Sequence, residues 1–286
     1  MRLWPSMYFA LPVAVITVMI GACGGGGEDT PTSSTTTSGT IDAGNDPNFN
    51  IVAHSDAGFT ATNRKVDVFG IPIYAYAEVE DVKLLHAANI MAQYLDNDED
   101  GQVDNATLLT ALTTNNASLF MWKTEAQKNL DGQDLGADES IPEWHTNGHT
   151  GTYDAALEEV LHVITHTGYT NAYPSVFGEQ AGTAIANAMD IARGGHFDSI
   201  PSSYPVGAWY TYGDQTCDYA CMITEYIYWS LTSILGAQQN RLGEISDEWN
   251  LNTSALVQSS DPAIYGVLTD SQYKVPTVLP DGTYRR

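Results

Sequence analysis

The segment richest in reactive side chains is Glu158-Glu159-Val160-Leu161-His162-Val163-Ile164-Thr165-His166. On an α-helix, residues four apart share a face, so Glu158, His162 and His166 form one stripe with Glu159 beside it. Leu157, Val160, Leu161 and Ile164 supply an apolar side. Imidazole and carboxylate donors in such a stripe suit an ion of the zinc type, and a neighbouring carboxylate suits a proton acceptor for water. The same residues also suit i,i+4 ion pairs on a wet helix face, with histidines near a helix C-terminus favoured by the dipole. What separates the two readings is whether the stripe faces a cleft or open water. Glu225, inside the nearly continuous apolar run 221–237, is a further donor, because a carboxylate there is costly unless paired or bound to metal.

This helix resembles, in degenerate form, the active helix of zincin metallopeptidases, whose HExxH places two histidines on zinc and a glutamate behind the attacking water. Two registers fit. In the first, Glu158 replaces the leading histidine as ligand, Glu159 is the catalytic base and His162 the second ligand. In the second, His162 and His166 are the paired ligands, with Val163 in the base position. Thr165 and Gly168 depart from the extended metzincin pattern, where a glycine and a third histidine stand. The resemblance implies a zinc-dependent hydrolase, with a peptidase as its narrower form, and Glu225 as a further ligand. The alternative is a non-catalytic, calcium-stabilised surface binding or structural lipoprotein.

A second constellation is Asp96, Asp98, Asp100, Gly101, Gln102 and Asp104. Alternate side chains on a tight turn surround one hard cation with oxygens, Gly101 permits the bend, the Gln102 carbonyl points inward and Val103 packs into the core. This resembles the DxDxDG calcium loop of exported proteins, although Thr107 stands where an EF-hand has its bidentate glutamate. The other reading is a solvated acidic turn, in which five carboxylates within nine residues repel one another. If bound, Ca2+ has a structural role.

From the chain's beginning these sites are expected outside the cytoplasm. Arg2, an apolar run over 7–20, then Gly21 and Ala22 before Cys23 lay out a secretory signal. Ile20-Gly21-Ala22-Cys23 resembles the bacterial lipobox, which implies lipidation of Cys23 and attachment to a membrane through that lipid. The reading is a signal peptide over 1–22, a Gly/Thr/Ser-rich disordered tether over 23–46 and one globular domain over 47–286. Gly24 is not the aspartate that retains such proteins at the inner membrane, so the resemblance points to the outer membrane of a Gram-negative envelope. A net charge of −24 with eleven Lys plus Arg argues against nucleic-acid partners. Cys217 and Cys221 are expected to pair as a disulfide in an oxidising compartment, with free thiols or a share in a metal site as rivals.

The elements that must position these groups are mostly helical. Residues 65–77 read as one or two strands broken at Gly70 and Pro72, 81–94 as an amphipathic helix, and 117–122 as a buried strand. Residues 133–144 read as irregular or edge-strand structure before a polar turn over 145–151. The histidine helix is expected over 154–166, with Thr152 as cap and Gly168 as its end. Another helix falls within 175–192, closed by Gly194-Gly195, a buried one occupies 221–237, and the tail from 252 is irregular. The fold class expected is α+β, mainly helical, a single zincin-like domain with a small sheet near its N-terminal side. His145, His149 and His196 are loop histidines. Trp209, Tyr210 and Tyr212 suit either a peptide or glycan groove or a cover for the core.

Overall fold

The computed structural model describes residues 49–285. Cys23, the signal segment and the tether lie outside the described residues. The sheet begins with β1 (Val52–Ala53), β2 (Arg64–Val68) and β3 (Ile71–Ala75), each antiparallel to the last. Phe69 and Gly70 turn the β2–β3 hairpin with φ of 53° and 89°, the positive values that a two-residue hairpin turn matching strand twist requires. Pro72, expected to break the strand, lies inside β3. The pairing of β3 with β4 starts one residue later, at Ile73↔Leu119, so the missing Pro72 amide falls outside that ladder.

From β3 the chain crosses over through α1 (Asp81–Leu95) and α2 (Ala106–Thr114) and returns as β4 (Leu119–Trp122), parallel to β3. β5 (Gln133–Gly136) adds a parallel edge, giving the order β1-β2-β3-β4-β5. All four residues of β4 are buried, as befits a strand covered on both faces. A short α3 (Glu143–Thr146) follows and takes in His145, expected in a turn.

The histidine helix departs from expectation at both ends. α4 (Ala156–His162) starts after Asp154, whose Oδ1 accepts from the Ala156 amide at 3.3 Å, so Asp154 rather than Thr152 meets the first turn. Past His162 the helix widens into a π-helical stretch, Val163–Tyr169, and continues as α5 (Thr170–Ala172). Gly168, expected to end the helix, sits within it. A Cβ at Gly168 would lie 2.6 Å from Leu108 Cδ1 and 2.9 Å from Leu112 Cδ2, so its bareness lets α2 approach closely.

Two further helices, α6 (Pro174–Phe177) and α7 (Ala184–Ala192), divide the segment read as one; Thr183 caps α7 by accepting from the Ala186 amide. α8 (Tyr219–Leu235) is the expected buried helix, capped by Asp218 and ended by Gly236 at φ 94°. Cys217 and Cys221 form a disulfide across its start. After α9 (Leu242–Ile245) the tail is less irregular than expected, because Thr253 and Asp261 cap α10 (Ser254–Ser260) and α11 (Pro262–Leu268). The architecture is α+β with helix dominating and the sheet towards the N-terminal side, and sheet and helices share one hydrophobic core. Among the described residues no helix is long and apolar enough to cross a membrane.

Leu108 and Leu112 are fully packed, so Gly168→Ala is expected to destabilise the fold by about 1–3 kcal/mol through overpacking. A denaturant midpoint equal to wild type would contradict the close-approach role of Gly168.

Candidate metal centre between two helices

α4 packs against α8, and the polar stripe lies between them rather than in water. Glu158, His162 and Glu225 each offer a ligand atom, all within 4.8 Å of one another. Nε2 of His162 lies 3.7 Å from Glu225 Oε2, is buried and has no hydrogen-bond partner. Two hydroxyls from outside the stripe ease the carboxylates, Tyr228 opposing the rise of Glu158 and Tyr212 that of Glu225. Tyr228 was legible in sequence only as part of the apolar run, and Tyr212 only as one of an aromatic cluster.

Glu159 takes another position. It is wholly buried, accepts a hydrogen bond from Gln133 Nε2 on β5, and its Oε2 lies 3.7 Å from Nδ1 of His162. Glu159 therefore stands at the ring edge away from Nε2, behind the histidine rather than in front of it. His166 also leaves the stripe. The i→i+5 turns that begin at Val163 rotate it off the line through Glu158 and His162, and its Nδ1 pairs with Glu179 Oε2 at 2.7 Å. Glu179 Oε1 accepts from Thr224 Oγ1 at 2.8 Å. The structure thus brings together the ligands of the first register with Glu225, and does not bring His166 to them. Glu179, in the irregular stretch between α6 and α7, carried no periodicity that could have singled it out.

A cleft of about 270 Å³ opens beside this centre, with Ser118, Asp131, Gln133, His162 and His166 among its lining residues. The electrostatics are those of crowded acids. Burial, and next the charge of Glu159, push the Glu158 carboxyl up; burial, and next Glu158, do the same to Glu225. Glu248 is pushed up to about 7 by burial and then Glu158, and Glu139 to about 7 by burial and then Glu159. Burial lowers His162, which keeps the imidazole neutral and able to act as a ligand, whereas the bond to Glu179 raises His166. Arg241, 3.8 Å from the Tyr153 ring centroid, opposes the rise of Glu158 only weakly.

In the acidic loop, ligand atoms of Asp96, Asp98 and Asp100 lie within 4.8 Å of one another, and Asp104 is not in that group. Asp96 is buried; its Oδ2 accepts from the Gly101 amide at 2.8 Å and from the Tyr284 hydroxyl, while Asp104 Oδ2 accepts from the Asn97 amide at 2.8 Å. Gly101 has φ 90° and Val103 packs against the core, as the loop reading requires. Gln102 lies in the loop, its amide donating to Asp100 Oδ1 at 2.8 Å.

Several remaining candidates lie apart from these groups. Tyr210 is buried with its hydroxyl on the Met222 carbonyl, and Trp209 donates to Asp261, so both cover the core. His149 stacks on Trp144, and exposed His196 lies between Asp190 and Asp198. No protein-family model matches the chain, and neither any curated protein nor any solved structure is significantly similar to it.

The fold holds a proton on Glu248 up to about pH 7 that the unfolded chain releases near 4.5, so this carboxyl favours the fold at low pH and that contribution is lost as pH rises between the two values. In metal-free protein, Glu248→Gln should gain on wild type by on the order of 1–3 kcal/mol between pH 5 and 7. A stability difference that does not change with pH would contradict this.

Proposed function

We propose that the domain is a lipid-anchored, extracytoplasmic metal-dependent hydrolase of zincin-like type, with zinc held by Glu158, His162 and Glu225. The observation that carries this reading is the buried, unpartnered Nε2 of His162 facing two carboxylates from separate helices. A buried imidazole nitrogen without a partner costs about 1–3 kcal/mol, and N and O donors of this kind are those zinc accepts. When bound, zinc supplies Lewis acidity and lowers the pKa of water.

The chain's own residues divide the remaining work. Glu159, expected to act as base, is assigned to positioning, since its carboxylate, held by Gln133, lies on the Nδ1 side of the ring, 3.7 Å away, where it favours a proton on Nδ1 and leaves Nε2 for the metal. His166, on the wall of the cleft and paired with Glu179, is the group placed to take up and return a proton. The cleft of about 270 Å³ meets the centre through His162, and in the narrower, peptidase form of the reading it takes a side chain of the substrate peptide. Ca2+ in the Asp96, Asp98, Asp100, Gln102 and Asp104 loop would hold the C-terminal tail through Tyr284, a structural role. The lipid on Cys23 would tether the domain to the outer membrane of the envelope.

His162→Ala should lose one equivalent of zinc by elemental analysis, and Glu159→Gln should weaken zinc affinity or peptide hydrolysis by about 10–100-fold. Unchanged zinc content in His162→Ala would end the assignment. For the loop, adding calcium to metal-free chain at about a hundredfold excess over Kd should stabilise it by about 2.7 kcal/mol, and not in Asp98→Ala. Equal melting temperatures with and without calcium would remove the calcium reading.

A further inference from the structure

A second group of donors lies outside this site. His86 comes from α1, His145 from α3, and Asp154 from the residues just before α4, and their ligand atoms all lie within 4.8 Å of one another. Nε2 of His86 is 2.7 Å from Asp154 Oδ2, and Nε2 of His145 is 2.8 Å from the same oxygen. The three side chains are 0 %, 2 % and 0 % exposed. The other carboxylate oxygen, Oδ1, is taken by the backbone amides of Ile141 at 2.8 Å and Ala156 at 3.3 Å, which fixes the carboxylate and leaves Oδ2 to the histidines.

As a purely hydrogen-bonded group this arrangement is poor. Both rings turn Nε2 to the one oxygen Oδ2, and among the described residues no lysine or arginine balances the buried Asp154 carboxylate. Two imidazole nitrogens and one carboxylate oxygen from three separate elements are, by contrast, the donor set of a borderline divalent cation. The tail closes the place. The amides of Asp281 and Gly282 donate to Gln93 Oε1 at 2.9 and 2.8 Å, and a Cβ on Gly282 would stand 2.2 Å from His86 Nδ1, so its bare backbone lies against the outer edge of that ring.

We infer that His86, His145 and Asp154 form a second metal centre, closed and structural, which takes a zinc-type divalent cation. Because Asp154 leads directly into α4 and holds its first amide, the ion would join α1, α3 and the start of the helix that carries Glu158 and His162. The centre is independent of the hydrolase reading, since it shares no residue with that site.

The test is metal binding by the full chain, stripped and then titrated with Zn2+ or with Co2+, whose visible absorption reports nitrogen-containing tetrahedral sites and not an all-oxygen loop. Wild type should bind two equivalents, and His162→Ala one. Asp154→Asn, with its fold checked by circular dichroism, should also bind one. Since Asp154→Asn disturbs a buried carboxylate and can fail to fold, X-ray absorption at the zinc edge on His162→Ala provides the second measurement. It should show two imidazoles on the remaining ion. A His162→Ala chain that binds no metal, or a folded Asp154→Asn chain that binds as much as wild type, overturns the inference. One equivalent lost in Asp154→Asn but kept in His162→Ala would sustain this centre and overturn the one at Glu158, His162 and Glu225. The reverse pattern would sustain that one alone.

Discussion

Crowding Glu159 and Glu225, both buried, and the half-buried Glu158 around one imidazole is the constraint on which the middle of this molecule depends. Removing a carboxylate from water costs on the order of several kcal/mol, and each neighbour of like charge adds to that cost. α4 and α8 nevertheless pack with Glu158 and Glu225 between them and Glu159 turned to β5, although both helices have enough Leu, Ile, Val and aromatic surface to meet through apolar side chains alone. The hydroxyls of Tyr212 and Tyr228 and the amide of Gln133 relieve part of the cost, and protonation relieves more, as the upward shifts of Glu225 and Glu248 record. What they leave unmet is His162 Nε2 and the excess of negative charge, and one divalent cation meets both needs.

The neighbouring architecture reads as support for that junction. The π-helical stretch directly after His162 separates two histidines that a regular helix would stack, so one stays with the carboxylates and the other turns to Glu179 on the cleft wall. Gly168 allows the same helix to lie close on α2, and Asp154 anchors its beginning between His86 and His145. The C-terminal tail, which reaches Asn97, Gln93 and Asp96 with residues 277–284, closes over the acidic loop and the outer edge of His86. The C-terminal end of α1, and His86 within it, are thereby tied to a chain segment distant in sequence.

Much of the site was legible because its donors lie at helical spacing. Glu158 and His162 are four apart, and Glu225 stood out as a charge in an apolar run. Period alone cannot reveal a π-helical turn, so the placement of His166 was not legible. Nor was that of Glu179, which lies in irregular chain. The reading of Gly168 as a helix end failed for a related reason: a glycine that ends a helix and one that lets another helix approach look alike without the partner. His86 was hidden as one polar residue on an amphipathic helix, and its meeting with His145 and Asp154 is a long-range contact that no local pattern encodes. The β2–β3 hairpin followed from alternation, α1 from three-four spacing, and β4 and α8 from continuous apolar runs, whereas β1 was not read and the short tail helices, set by the caps Thr253 and Asp261, have too few turns for periodicity to mark them.

The most direct measurement is anomalous diffraction at the zinc edge from crystals of the zinc-loaded chain. The account predicts a peak between α4 and α8 at about 2.0–2.2 Å from His162 Nε2 and from carboxylate oxygens of Glu158 and Glu225. Absence of a peak there, with His162 Nε2 hydrogen-bonded directly to Glu225, would contradict it.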